Sequence, residues 1–395
     1  MWQIIIYLLL SATSPTFEAQ TLDDRTVLGS LSELTDVRVT MDTADGKVSL
    51  DTEKLLGLSL KQKPAQSATA AGAWIELIDG SKIVSQQYTV KGETARIMLF
   101  DNQVLETPTQ SIRWVRLQPE SETMANQWSR ILDKQLDGDI LVVRKGDNLD
   151  YHQGVLHDVT PDVVQFKLDG EELPIKRSRV YGFSYRHPAG NVLPGAICRI
   201  ADAFGSYWQA RNISLDDKLQ WITPTGLRLS QSLENVTLID FSQGKIVYLS
   251  DLTPESTNWS PYFGTAKTFS SLQQFYAPRM DRNFESDPLQ LAGTQYSKGL
   301  AIHSRTEMVY RLPGSFSRLK AVAGIDDAVR PHGNVRLVVS SESKVLLDMQ
   351  IAGSDEPKPI DLDIAGAHRL RILVDFGDQA GFGDNLDLCN ARITK

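Results

Sequence analysis

The sequence predicts an all-β chain: tandem small SH3-like barrels with one amphipathic helix, followed by a C-terminal β-sandwich of the jelly-roll kind. Three observations predict it. Apolar and polar residues alternate over short runs broken by Gly, Asp and Asn turns, the pattern of half-buried strands. Four segments in the first 250 residues close in the same way. Helical spacing of apolar residues is confined to a short stretch, residues 121–136. With 395 residues the chain exceeds one core, and usual domain sizes suggest two to four domains.

Residues 4–10, Ile-Ile-Ile-Tyr-Leu-Leu-Leu, form an apolar run too short to span a bilayer. Small residues and Pro15 follow, so residues 1–19 read as a secretory signal cut after Ala19, although no Lys or Arg precedes the run. The expected location is therefore outside the cytoplasm, periplasmic or extracellular. No later segment has the length and apolarity of an integral membrane helix.

Residues 21–119 read as N-terminal β repeats and residues 138–245 as two further SH3-like barrels. The repeated ending is a polar lead-in and an alternating apolar strand: residues 53–60, 110–117, 178–185 and 234–241. The last apolar residues, Leu60, Leu117, Tyr185 and Phe241, lie 57, 68 and 56 positions apart. Units of this size with about five strands each suit small barrels in series. The longest gap holds the extra element, a linking helix within residues 120–137. There Met124, Trp128, Ile131, Leu132 and Leu136 share a face, Ser121 can cap the start and Gly138 can end it. Such a helix would pack across the second and third units. Residues 61–72 are small, polar and Pro-containing, as in a long loop.

From residue 246 the strands come quickly: 299–303, 307–312, 318–325, 334–340, 344–351, 358–364, 368–376 and 387–394. Eight strands with no helical stretch among them suit a sandwich of two sheets, each burying one face.

Charge and cysteine content narrow the function classes. A net charge of −8 argues against nucleic acid, whose binders present a basic face. Two cysteines, Cys198 and Cys389, fall in different expected domains and read as buried free thiols. No Gly-x-Ser-x-Gly elbow, P-loop, Gly-x-Gly-x-x-Gly or His-Glu-x-x-His occurs, so the expectation is a non-enzyme. Trp74, Trp114, Trp208 and Trp221 sit in strand patterns of the barrels and read as core or inter-barrel packing.

Three motifs stand in order along the sandwich strands: Gly299-Leu300-Ala301-Ile302-His303-Ser304, Gly324-Ile325-Asp326-Asp327, and an acidic glycine-rich stretch from Asp375 to Asp387. With Tyr248-Leu249-Ser250-Asp251-Leu252 and Pro261-Tyr262-Phe263 ahead of them, they resemble the NPCBM family of carbohydrate-binding modules. These are small secreted β-sandwiches often appended to bacterial glycoside hydrolases, and the resemblance covers about residues 248–395. It implies a jelly-roll module at 246–395 that recognises a glycan or polysaccharide without catalysis.

The resemblance places His303 and Asp326 near a glycan-facing rim, with Asp327, Tyr296 and Arg305 as further ligand-binding candidates. An imidazole donates to and accepts from sugar hydroxyls, and a carboxylate accepts from two of them. Each has a bland reading: a strand-end histidine, and an Asp pair capping backbone N–H groups. Asp378, Asp384 and Asp387, on a glycine-containing loop, read as a solvated acidic hairpin or as ligands of Ca²⁺, a cation held by six to eight oxygens. The family's closing Asp-Trp-x-Asp-Ala-Arg reads here Asp387-Leu388-Cys389-Asn390-Ala391-Arg392, with Leu388 in place of the aromatic. Tyr296, Phe376 and Phe382 are the substitute platforms. Two rival readings stand beside glycan recognition. One is a structural or assembly role in the cell envelope, with the barrels contacting a protein partner. The other is a weakly hydrolytic or glycosidase-associated protein, which needs two carboxyl groups about 5–9 Å apart across a sugar.

Overall fold

The computed structural model describes residues 14–395 apart from 24, 63, 65–71, 135–136, 188–191, 265–269, 315, 343 and 379–380. The chain divides into two compact units, Met1–Gln243 and Gly244–Lys395.

The first unit is built from four copies of one meander. In the first, strands Thr16–Thr21, Thr26–Leu34, Arg38–Thr43 and Gly46–Asp51 pair in succession. A one-turn 3₁₀ helix, Thr52–Lys54, then feeds the closing strand Leu55–Leu60 back onto the first, Phe17 opposite Leu60. The polar lead-in of each repeat is this turn, since it recurs at Thr109–Ser111, Arg177–Arg179 and Leu233–Asn235. The alternating residues after it form the closing strands Ile112–Arg116, Val180–Ser184 and Val236–Asp240.

The closing strands also pair with one another. Leu55–Leu60 binds Val236–Asp240, with Leu58 opposite Ile239, and Ile112–Arg116 binds Val180–Ser184, with Val115 opposite Phe183. The barrels therefore join as first with fourth and second with third. Each closing strand lies between its own first strand and a partner, which leaves it no open edge for stray pairing. One apolar cluster runs through all four, from Phe17 and Leu58 to Ile200 and Ile239.

The helix expected over 121–136 spans Glu122–Leu132, which we call α1. Ser121 Oγ accepts from Met124 N at 3.4 Å, as a cap should. Met124, Trp128 and Ile131 pack on Ile140, Val142 and Tyr181 of the third barrel, and Trp128 also meets Trp114 of the second, so α1 rests on both. Leu136 lies outside the described residues, as do most of 61–72. Gly182 makes the seat for α1: a Cβ there would meet Val115 O at 2.5 Å and Trp128 Cη2 at 2.9 Å. Gly182→Ala should lower the melting temperature by several degrees, for about 1–3 kcal/mol of overpacking; calorimetry checks it.

The expected cut after Ala19 meets a strand. Phe17 and Ala19 are buried in Thr16–Thr21, which pairs on both sides. A cut after Ala19 falls inside that strand and would remove four of its residues. Residues 1–13, which carry the apolar run, lie outside the described residues.

The second unit is a sandwich of two antiparallel sheets. One runs Arg279–Met280, Gly299–His303, Asn385–Thr394, Arg318–Ile325, Lys358–Asp363, with Ile246–Tyr248 added along Asn385–Thr394. The other runs Ser256–Trp259, Thr306–Arg311, Arg369–Phe376, Asn334–Ser340, Val345–Ala352. Leu300, Ile302, Leu388 and Ile393 from one sheet meet Met308, Leu337, Ile372 and Val374 from the other. Leu388 is therefore a core residue, and its replacement of the family's aromatic is a change of packing.

A hairpin, Leu289–Leu291 with Thr294–Tyr296, covers Ala301 and Cys389, which alternate with the core residues and so face outward. Two motif glycines are explained by it. A Cβ on Gly299 would meet Leu289 Cδ1 at 2.8 Å, and one on Gly324 would meet Leu291 Cδ2 at 2.9 Å. Both cysteines are buried.

Candidate functional site

Strand register brings the motifs to one end of the sandwich. His303 lies opposite Asn385, Ile325 opposite Leu386, Val335 opposite Phe376 and Trp259 opposite Thr306. The connections after residues 259, 303, 325 and 376 therefore leave at the same rim.

Inside the rim three of the expected ligand-binding residues, His303, Asp326 and Asp327, bond across or within the loops. His303 is 6% exposed. Its Nδ1 bonds Asn385 Oδ1 at 2.9 Å, and the Tyr276 ring stacks on it at 3.8 Å, tilted by only 11°. Burial lowers the His303 pKa below the ordinary histidine value, so the ring stays neutral near pH 7. Asp384, with no exposure, accepts from Ser304 Oγ at 2.6 Å and from Asn334 N at 3.0 Å, tying three loops. Asp326, 3% exposed, accepts from Ala328 N at 2.7 Å. Asp327 accepts from Ala292 N and Gly293 N, each at 2.8 Å, and clips the hairpin to the rim. The bland reading of the Asp pair, backbone capping, describes both residues.

Asp387 is fully buried behind Asp326. Desolvation first, and then the neighbouring Asp326 charge, push its pKa well above the carboxylate range. Asp378 is exposed. Asp378, Asp384 and Asp387 have different surroundings: the first is exposed, the second accepts from Ser304 and Asn334, and the third faces Asp326. Among the described residues no three His, Cys, Asp or Glu side chains gather as a cation site. Tyr296 lines a different depression, of about 490 Å³, with Asp281, Ser286 and Gln295.

The exposed part of the rim is aromatic. Tyr262, Phe263 and Phe382 are 50%, 75% and 67% exposed. Tyr262 meets the Phe376 ring edge-on at 4.9 Å, and Phe382 meets His332 at 5.7 Å. Gly381 joins these groups, its Cα region lying beside Phe376 and Ser304 Oγ. Arg305, also exposed, reaches Asp375 with Nε at 3.2 Å. Flat rings flanked by a donor and an acceptor can stack on apolar C–H faces and bond hydroxyls around them. Tyr262 and His332 gave no signal of this role in sequence, because their proximity to Phe376 and Phe382 arises only from the loop ends meeting.

No curated protein matches the chain in sequence. Among solved structures it is similar to CBM51 from Clostridium perfringens GH95 in complex with methyl-galactose, at 21% identity, covering 38% of this chain and 99% of that one, with a TM-score of 0.32. It is also similar to CBM51-2, in complex with GlcNAc, and INT domains from Clostridium perfringens ZmpB, at 16% identity, 59% and 43% coverage and a TM-score of 0.33. A third similarity is to the tandem CBM51 modules of Sp3GH98, the family 98 glycoside hydrolase from Streptococcus pneumoniae SP3-BS71, at 14% identity, 96% and 88% coverage and a TM-score of 0.32. The family model described as NPCBM/NEW2 domain matches residues 245–394. That span coincides with the sandwich, and the chain carries an NPCBM/NEW2 domain as its C-terminal unit.

Proposed function

We propose that this chain is an exported, non-catalytic protein that recognises a glycan through the aromatic rim of its C-terminal sandwich. The observation that carries the reading is the exposed ring set, Tyr262, Phe263 and Phe382, on a domain of a carbohydrate-binding-module family. Phe382 and Tyr262 stack on sugar rings; Arg305 donates to hydroxyls and Asp375 accepts from them. His303, Asp326 and Asp384 act from beneath, as supports that hold the loops in register. The burial of Asp326 and Asp387, which face each other, supports a binding role for the rim over one in which this pair flanks a bound sugar.

A shallow rim buries little surface, so affinities in the micromolar to millimolar range are expected. The test is a glycan array on the full chain, with calorimetry on the strongest hit. Phe382→Ala should weaken that hit at least tenfold, about 1.4 kcal/mol, with an unchanged melting temperature. Equal affinity for the variant and the parent would remove the rim from the account.

A further inference from the structure

A second groove lies in the barrel unit, and its chemistry is that of a ligand site. Its floor is the outward face of paired strands. Trp74 on Ala73–Leu77 lies opposite Arg116 on Ile112–Arg116, and Glu76 opposite Trp114. One wall is α1, through Ser129 and its neighbours, and the other is Tyr207, opposite Lys82. The groove is open to solvent along one side, and its volume is about 450 Å³, within the usual range of small-ligand clefts, about 300–1,000 Å³. Trp208 and Trp221 are buried as the sequence suggested, but Trp74 and Trp114 are only half-buried and turn into this groove.

The charges here are matched internally. Glu76 takes Arg113 Nη1 at 2.9 Å and Lys82 Nζ at 4.0 Å. Arg116 lies 4.3 Å over the Trp74 ring and 3.6 Å from Glu120. A phosphate-rich ligand would have to draw these cations off their carboxylates. A proline-rich peptide packs on indoles but presents mainly carbonyl acceptors, so it offers no donor to Asp133 on the α1 wall. Sugar hydroxyls donate as well as accept, and their C–H faces suit flat rings.

We propose that this groove is a second glycan site, separate from the sandwich rim, taking a neutral oligosaccharide against Trp114 and Tyr207. Two sites on one chain would raise the apparent affinity for a polymer wherever both can engage it.

The test uses the full chain carrying Phe382→Ala, which disables the rim, and calorimetry with hexaoses of cellulose, xylan, mannan and chitin. At least one hexaose should still bind. Tyr207→Ala and Ser129→Trp, which change an exposed ring and an exposed wall residue, should each weaken that binding at least tenfold at constant melting temperature. The proposal is overturned if no hexaose binds in the Phe382→Ala background, or if neither groove variant changes the binding seen there. Decaproline binding that Tyr207→Ala abolishes, with no hexaose bound, would also overturn it and give the groove to a peptide. Failure of the rim reading is a separate result, an unaltered affinity on Phe382→Ala alone in the parent chain.

Discussion

Asp202→Ala should strongly destabilise the barrel unit, costing about 3 kcal/mol or more. Asp202 is 8% exposed and sits at the end of strand Cys198–Asp202. Its Oδ1 accepts from Phe204 N and Ser206 N, both at 2.9 Å, and its Oδ2 from Trp208 Nε1 at 3.1 Å. Trp208 is the largest fully buried side chain among the described residues. Burial pushes the Asp202 carboxyl up, against the three donors that hold it charged. Truncation leaves three donors unmet, each worth about 1–3 kcal/mol when buried, partly relieved where water enters. For a unit of this size each kcal/mol moves the melting temperature by about 2–4 °C. A drop of at least 6 °C is therefore expected by calorimetry. Asp202→Asn, which keeps an acceptor oxygen for the turn, should lose less than half as much. A drop under 2 °C for the alanine variant would mean that the turn and Trp208 are held by something else.

Asp387→Asn should do the opposite and stabilise the sandwich at neutral pH. Neither Asp387 oxygen, nor Oδ2 of Asp326, has a well-placed donor among the described residues. The two carboxyls face each other, and the folded-state pKa of Asp387 is raised well above 3.8. A raised carboxyl pKa favours the protonated form in the fold. Its stabilising contribution is therefore complete below about pH 4 and is lost as pH rises through the folded value. An amide has no charge to bury, so the variant should gain about 1–3 kcal/mol over the parent at pH 7, with the gain shrinking toward pH 4. Thermal denaturation from pH 4 to 8 reads this directly. If instead a cation neutralises the pair, the variant melts lower than the parent at pH 7 and a chelator destabilises the parent alone.

Much of the architecture was legible in the sequence because it depends on short-range pattern. Period-2 alternation located the eight main sandwich strands within one or two residues at their ends. The polar lead-ins located the 3₁₀ turns and closing strands, and Ser121 located the start of α1. What the pattern could not show was which closing strands pair, since Leu58 and Ile239 are joined by a contact across most of the unit.

The sequence brought the candidate motifs together but did not show how deeply they are buried. Gly299–Ser304 and Gly324–Asp327 do meet at one rim, yet His303 and Asp326 are buried there. Tyr276, 27 residues before His303 and outside any motif, covers the imidazole. The exposed rings reach their positions through loop geometry, which has no period in the sequence. The motif glycines, too, take their meaning from Leu289 and Leu291 on a hairpin that no motif announced.

The most direct measurement is a crystal structure of the full chain with the strongest oligosaccharide from the array. The account predicts a sugar ring against Phe382 and Tyr262, with hydroxyls on Arg305 and Asp375 and with His303 still covered by Tyr276. A bound sugar that leaves this rim empty, or an array on which nothing binds, would contradict it.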